Sequence, residues 1–131
     1  MSWIRIAKEF HFSASHELRR EDLSEKDNFL TFGKCSRVHG HNYILTVEVS
    51  GQVNSDTGMV LNYFDLSDIV DKNVVATWDH YHLNDRMNAL PTAENMLQEV
   101  LKKLENKFPT GVVLTRVRIQ ETSKTYAEWW T

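Results

Sequence analysis

Two long runs of alternating apolar residues constrain the fold of this 131-residue chain more than any other feature. Within residues 3–16 the even-numbered positions are apolar, apart from Lys8, and the run ends at His16. Residues 39–50 alternate in the same way. Successive side chains of a strand point to opposite faces, so such runs are typical of strands with one buried face. The sequence therefore predicts two long strands, with His16 on the buried face of the first.

Two helices are predicted in the middle of the chain. The first begins at Asp65, where acidic and hydroxyl side chains complement free N–H groups. The second is capped by Thr92 and stopped by Pro109 and Gly111. Apolar residues recur at helical spacing in both. These residues are Leu66, Ile69, Val70, Val74 and Trp78 in the first helix, and Ala93, Leu97, Val100, Leu101, Leu104 and Phe108 in the second.

The remaining segments complete an α+β pattern. Residues 17–34 are charged and irregular and are predicted to form a long loop, and residues 59–63 a short extended piece. Residues 112–122 and Tyr126–Trp130 are predicted strands. The order of two strands, two helices and two strands (ββααββ) favours a four-stranded antiparallel sheet with both helices on one face.

Composition narrows the class of protein. The length predicts one domain over residues 1–131. A net charge of −3 argues against a general nucleic-acid binder. The single cysteine, Cys35, forms no internal disulfide, which favours a cytoplasmic protein. We expect no signal peptide and no membrane span, because no apolar run is long enough.

Three histidines predict a metal site. His39 and His41 alternate on the second strand and so share a face, and His16 lies on the buried face of the first. Three imidazoles with an open fourth position are the usual ligands of a catalytic zinc. Ligand type alone also admits iron, copper or nickel.

Cys35 has two interpretations. Most free cysteines are small buried apolar residues. A thiol beside a metal, or beside Lys34 and Arg37, would have a lowered pKa and could act as a base. A sulfur–zinc bond would make a closed, structural site. A catalytic site therefore requires Cys35 to stand away from the metal.

Two acidic residues, Asp79 and Glu121, are also candidates for a functional role. The segment Asp79-His80-Tyr81-His82 is either a polar helix end or a carboxylate–imidazole pair, and spacing does not choose between His80 and His82. Glu121 shares a face with apolar residues of its strand, so its carboxylate needs a partner. That partner is either a cationic side chain or a ligand with adjacent N–H donors, such as a pterin or guanine.

Taken together, these segments resemble the 6-pyruvoyl-tetrahydropterin synthase and 6-carboxytetrahydropterin synthase family over nearly the whole chain. The matching motifs are Phe12-Ser13-Ala14-Ser15-His16, Phe32-Gly33-Lys34-Cys35, His39-Gly40-His41-Asn42-Tyr43, Asp79-His80 with Leu83-Asn84-Asp85, Pro91-Thr92-Ala93-Glu94-Asn95 and Gln120-Glu121-Thr122. The resemblance implies a tunnelling fold, a homohexamer of two stacked trimers with active sites between subunits, and a zinc enzyme acting on 7,8-dihydroneopterin triphosphate.

The resemblance also implies a role for each matching residue. The zinc ligands are His16, His39 and His41, the catalytic residues Cys35, Asp79 and His80, and the pterin-binding residues Glu121, Thr92 and Glu94. Lys34 and Arg37 are candidate triphosphate contacts.

Two products compete within this family. The four-residue step from Cys35 to His39 is similar to that of the 6-carboxytetrahydropterin synthases of queuosine biosynthesis, and we favour that product. The 17–34 segment and the Asn42-Tyr43 pair are more similar to the 6-pyruvoyl synthases of tetrahydrobiopterin biosynthesis. More distant alternatives are a non-catalytic metal-binding protein, which would not need Cys35, and a pterin aldolase-like enzyme, which would not need the three histidines.

Overall fold

The computed structural model describes residues 2–131, so only Met1 of the predicted domain lies outside it. The strands are β1 (Trp3–His16), β2 (His39–Gln52), β3 (Val113–Thr122) and β4 (Thr125–Trp130). The helices are α1 (Glu25–Phe32), α2 (Tyr63–Val70), α3 (Ala76–Trp78) and α4 (Ala93–Leu104). The four strands form one antiparallel sheet in the order β1-β2-β3-β4, which confirms the predicted sheet. None of the helices in residues 2–131 has the length and apolar character needed to cross a membrane.

One face of the sheet is buried beneath the helices. Even positions of β1, odd positions of β2, and Val117 and Ile119 of β3 form a single apolar core with residues of α2, α3 and α4. The ring of Phe12 stacks on Tyr43 at 5.0 Å and contacts the fully buried Trp78. A segment of π-helix, Asp71–Val75, joins α2 to α3, so the helix predicted to run as far as Trp78 is essentially continuous.

The prediction of a loop over residues 17–34 was wrong, because this segment contains helix α1. Ser24 caps the helix by accepting a hydrogen bond from the Asp27 N–H at 3.1 Å. The only buried residue of α1 is Asn28, whose side chain bonds to the backbone N–H and carbonyl of Arg20 and to the carbonyl of Leu23. A polar side chain thus anchors a helix that has no apolar stripe.

Several predicted boundaries also shift. Helix α2 begins at Tyr63, where the Asn62 side chain accepts from the Phe64 N–H at 2.8 Å, and not at Asp65. Residues 59–63 therefore lead into a helix and form no strand. Helix α4 ends at Leu104, one turn before Phe108, which packs against the core from the following loop.

The face of the sheet opposite the helices carries a ladder of alternating charges, one from each strand. Arg5 of β1 lies 3.5 Å from Glu48 of β2, which lies 2.7 Å from Arg116 of β3. Arg116 in turn lies 3.0 Å from Glu128 of β4. Burial raises the pKa of Glu48, but hydrogen bonds from Arg116 and Thr115 outweigh this and hold it below its usual value. The ladder begins with a cation at one edge of the sheet and ends with an anion at the other.

Candidate active site

The three predicted histidine ligands converge where β1 ends and β2 begins. His16 and His39 are direct partners in the strand pairing, and His41 lies opposite Ala14. One ring nitrogen from each histidine lies within 4.8 Å of the others, a spacing that can hold a metal ion. His16 is only 1% exposed, because it closes the buried face of β1 as its parity predicts.

Backbone carbonyls fix the orientation and tautomer of two of these rings. Nδ1 of His16 lies 2.8 Å from the Pro91 carbonyl, and Nδ1 of His39 lies 2.7 Å from the Arg37 carbonyl. A carbonyl only accepts, so each Nδ1 carries the hydrogen and each Nε2 of a neutral ring is left with its lone pair. These two Nε2 atoms are 3.0 Å apart.

Two lone pairs at that separation repel unless a cation lies between them. Burial, together with the neighbouring His39 and His41, lowers the pKa of His16 to about 4, so its ring is neutral at pH 7. Burial lowers the pKa of His41 as well. The donor set of the site therefore fits a divalent metal ion that imidazole binds.

Glu121 lies beside the histidines. Its Oε2 is 3.7 Å from Nε2 of His16, 3.8 Å from Nε2 of His41 and 3.5 Å from the hydroxyl of Tyr43. Over residues 2–131, its ion-pair contacts are to these two histidines, and no lysine or arginine forms one with it. Burial and the charge of Glu94 raise the pKa of Glu121.

Glu94 and Glu121 line one cavity of about 310 Å³ between the start of α4 and the β3–β4 turn. The other lining residues are Ala93, Thr125, Tyr126 and Ala127. Thr92, predicted to bind substrate, uses its hydroxyl oxygen to cap α4 by accepting from the Asn95 N–H at 3.1 Å. Its hydroxyl hydrogen remains able to donate to a ligand.

Asp79 pairs with His80 and not with His82. Oδ1 of Asp79 accepts from Nδ1 of His80 at 2.8 Å and from the Ser13 N–H at 3.0 Å. The Ser13 N–H, together with His80, lowers the pKa of Asp79. The His80 side chain is 82% exposed, and its backbone has a positive φ of 65°. His82 instead bonds to the Ser15 hydroxyl at 2.9 Å.

His80 faces an open cleft at the β1 edge. The cleft is lined by Ser13, Ala14, Ser15, Gly40, His41, Asn42, His80, Tyr81 and His82. With Nδ1 bonded to Asp79, Nε2 of His80 is free to exchange a proton with a group in this cleft.

Cys35 is exposed in a short 3-10 helix, Gly33–Ser36, so the buried-residue interpretation is wrong. It does not belong to the metal-binding cluster of the described residues. The turn is held by the Leu18 N–H, which donates to the Cys35 carbonyl at 2.7 Å. Arg37, a candidate triphosphate contact, lies over the ring of Phe29. The thiol thus stands away from the metal cluster.

Tyr43 is a residue of the site that was not predicted from the sequence. Its hydroxyl lies between His16 and Glu121, and the residue is completely buried. The available signal was a polar hydroxyl on the same strand face as His39 and His41.

Comparison with known proteins identifies the family of the chain. The family model for 6-pyruvoyl tetrahydropterin synthase matches residues 5–131. A 6-pyruvoyl tetrahydrobiopterin synthase from Homo sapiens is 34% identical over 124 residues, covering 90% of this chain and 85% of that one. A 6-carboxy-5,6,7,8-tetrahydropterin synthase from Bacillus subtilis is 35% identical over 135 residues, covering 92% and 81%.

One further relative and one solved structure are also similar to this chain. A putative 6-carboxy-5,6,7,8-tetrahydropterin synthase from Archaeoglobus fulgidus is 42% identical over 95 residues, covering 72% of this chain and 77% of that one. The solved structure of Caenorhabditis elegans 6-pyruvoyl tetrahydropterin synthase superposes with a TM-score of 0.84 at 31% identity, covering 100% of this chain and 97% of that one. The fold is the expected tunnelling fold, and the chain belongs to the 6-pyruvoyl tetrahydropterin synthase family.

Proposed function

We propose that this protein is a zinc-dependent lyase that converts 7,8-dihydroneopterin triphosphate and one water molecule to 6-carboxy-5,6,7,8-tetrahydropterin, with loss of triphosphate and acetaldehyde. The observation that carries the proposal is the convergence of three histidine nitrogens beside the Glu121 carboxylate. The four-residue step between Cys35 and His39 favours the carboxy product over 6-pyruvoyl-tetrahydropterin. Relatives bearing either name align over most of the chain, so the pyruvoyl product is the second candidate.

We assign metal binding and proton transfer to different residues of the site. A zinc ion held by His16, His39 and His41 would supply Lewis-acid polarisation of the substrate's side-chain oxygens. Cys35, as thiolate, would remove and return side-chain protons. His80, oriented by Asp79, would exchange protons through its free Nε2.

Pterin recognition is assigned to the cavity that contains Glu121 and Glu94. A carboxylate accepts two hydrogen bonds from adjacent N–H donors, such as the amine and ring N–H of a pterin. Thr92, at the start of α4, would donate its hydroxyl hydrogen to the ring.

Turnover of 7,8-dihydroneopterin triphosphate, with the products identified by mass, tests the proposal. Release of acetaldehyde with the 6-carboxy product would support it. A 6-pyruvoyl product would support the second candidate. Metal binding without turnover would favour a non-catalytic metal-binding protein.

Replacing Glu121 with glutamine is expected to weaken pterin binding while leaving the metal in place. The amide presents one donor where the carboxylate has an acceptor, so at least one charge-assisted hydrogen bond is lost, worth about 1.5–3 kcal/mol. Titration of the protein with 7,8-dihydroneopterin measures the loss. Zinc content should not change, since all three histidines remain. Unchanged pterin affinity would remove Glu121 from ring recognition.

We also propose that the protein assembles as a homohexamer of two stacked trimers with active sites between subunits. The edge strands β1 and β4 run in opposite directions, so β4 of one copy can pair antiparallel with β1 of the next around a ring. Closing a ring in this way removes both exposed edges. The charge ladder supports this order, because it places the anion Glu128 on the β4 edge and the cation Arg5 on the β1 edge, so that opposite charges lie on the two edges that would pair.

Assembly is expected to depend on Arg5 and Glu128 as a pair. Exposed ion pairs contribute about 0.2–1 kcal/mol each, so Arg5→Ala and Glu128→Ala should each weaken the hexamer modestly at every junction. The double variant should be no weaker than the worse single variant if the two residues meet between copies. Sedimentation across a concentration series measures this. A wild-type monomer at micromolar concentration, or fully additive losses, would contradict the proposed junction.

A further inference from the structure

Arg118 of β3 is a cation without an anionic partner. Its guanidinium carbon lies 3.6 Å from the centroid of the Tyr126 ring on β4. Among residues 2–131 Arg118 forms no ion pair, and its Nε is buried without a hydrogen-bond partner. Most buried polar groups of a folded protein are paired, so this guanidinium points to a partner from outside the chain.

The acids on the two neighbouring strands are already bonded to another cation. Glu128 pairs directly with Arg118 in the β3–β4 register, but its carboxylate lies 3.0 Å from Arg116. Glu48 on β2 lies 2.7 Å from the same Arg116. Arg118 leans instead over Tyr126, toward the free edge of β4. An anion that meets Arg118 would therefore lie beyond that edge.

The opposite edge of the sheet carries such an anion on the same face. Glu9 is the only acidic residue of β1 and shares the parity of Arg5, which begins the charge ladder. Its side chain is 66% exposed, and its ion-pair contact among residues 2–131 is to His11 at 3.8 Å. Within one copy, β2 separates Glu9 from Arg118, which leans the other way.

Residues 79–84 limit where a second copy can pair with β1. The His80 N–H donates to the Ser13 carbonyl at 2.6 Å, and the Ser13 N–H donates to Oδ1 of Asp79 at 3.0 Å. The outer edge of β1 is thus occupied from Ser13 onward. The stretch Trp3–Phe12 remains for a partner strand.

The six residues of β4 fit within this stretch in only a few registers. If the sheet faces of two copies are continuous, even residues of β4 lie opposite odd residues of β1. Antiparallel pairing of the whole of β4 then sets Tyr126 opposite position 7, 9 or 11 of β1. In each case Glu9 lies opposite Tyr126 or diagonal to it, and diagonal neighbours are within reach of long side chains.

We propose that Arg118 forms an ion pair with Glu9 of a second copy, across the junction between β4 and the next β1. This contact would supply the anion that Arg118 lacks within its own chain. The inference rests on the proposed ring of subunits and names a contact that holds the ring together. It lies on the face of the sheet opposite the helices, apart from the metal cluster.

The test is reversal of each charge, alone and together. Glu9→Arg and Arg118→Glu each replace an attraction with a repulsion, so the concentration at which the assembly half dissociates should rise about 10-fold or more. The double variant restores opposite charges and should return to within about 3-fold of the wild type. Sedimentation velocity over a dilution series compares the four proteins, and thermal melting checks that each is folded.

A matched control separates the contact from net charge. Glu9→Arg with Lys107→Glu has the same net charge as the double reversal, but Lys107 is an exposed residue of the segment between α4 and β3. This control should stay as weak as Glu9→Arg alone. Should Arg118→Glu fail to fold, the Arg118→Gln background replaces it, and there Glu9→Arg should have little effect on assembly.

The outcomes separate this contact from the assembly itself. Rescue by the double reversal, and not by Lys107→Glu, would support the pair. A hexamer indifferent to both reversals, or rescued equally by Lys107→Glu, would overturn the contact and leave the ring standing. Full sensitivity to Glu9→Arg in the Arg118→Gln background would also overturn it. A wild-type monomer would overturn the ring and the contact together.

Discussion

Replacing His39 with alanine is expected to remove the metal and the activity together. His39 supplies one of only three imidazoles in the cluster, and the Arg37 carbonyl already fixes its Nε2 toward the others. Loss of a partner that merely orients a ligand typically costs 10–100-fold in metal affinity, so loss of the ligand itself should cost about 100-fold or more. Elemental analysis should find about one zinc per chain in the wild type and little in the variant.

His11→Ala provides the matched control. His11 lies on the same strand as His16 but on the opposite face, is exposed, and contacts only Glu9 among its charged neighbours. Metal content and turnover should stay at wild-type levels in this variant. Full retention of metal in a protein lacking His16, His39 and His41 together would rule out the assigned site.

Replacing Cys35 with alanine is expected to abolish most turnover while leaving the metal and the fold unchanged. The thiol is exposed and lies outside the histidine cluster, so neither packing nor metal coordination depends on it. Loss of a general base should slow the reaction by about 10²–10⁴-fold. Rate measurements under saturating substrate, alongside zinc analysis, separate this outcome from loss of a ligand.

Chemical modification gives an independent check on the same residue. Cys35 is the only thiol in the chain, so a thiol reagent can react at one place. Alkylation of Cys35 should inactivate the enzyme without releasing zinc. Bound substrate should slow this alkylation. Loss of zinc on removal of the thiol would make the site structural and contradict the proposed mechanism.

The sheet was predictable because its strands bury one face and so alternate in sequence. The same parity placed His16, His39, His41 and Glu121 on the helix-covered side, where they lie in the structure. Helix α1 was not predictable in this way. It is held by the cap at Ser24 and by the side chain of Asn28. Neither contact requires apolar residues at helical spacing, so the sequence of α1 lacks that pattern.

The finer geometry of the site depends on contacts that leave little trace in sequence. Carbonyls of Pro91 and Arg37 set the tautomers of His16 and His39, and any residue type supplies a carbonyl. The choice of His80 over His82 follows from how residues 79–82 run beside the edge of β1, with the His80 N–H donating to the Ser13 carbonyl at 2.6 Å. Such long-range placement is a product of tertiary structure.

His16 and His39 are the last partners in the pairing of β1 with β2. A slip of one residue would turn every side chain of one strand to the opposite face, and the three imidazoles could then no longer meet. A metal ion that binds only the correctly paired strands adds its binding free energy to that pairing alone. The cluster would thus act during folding as a check on strand register, and discriminate against misaligned forms of the two longest strands before any substrate is present.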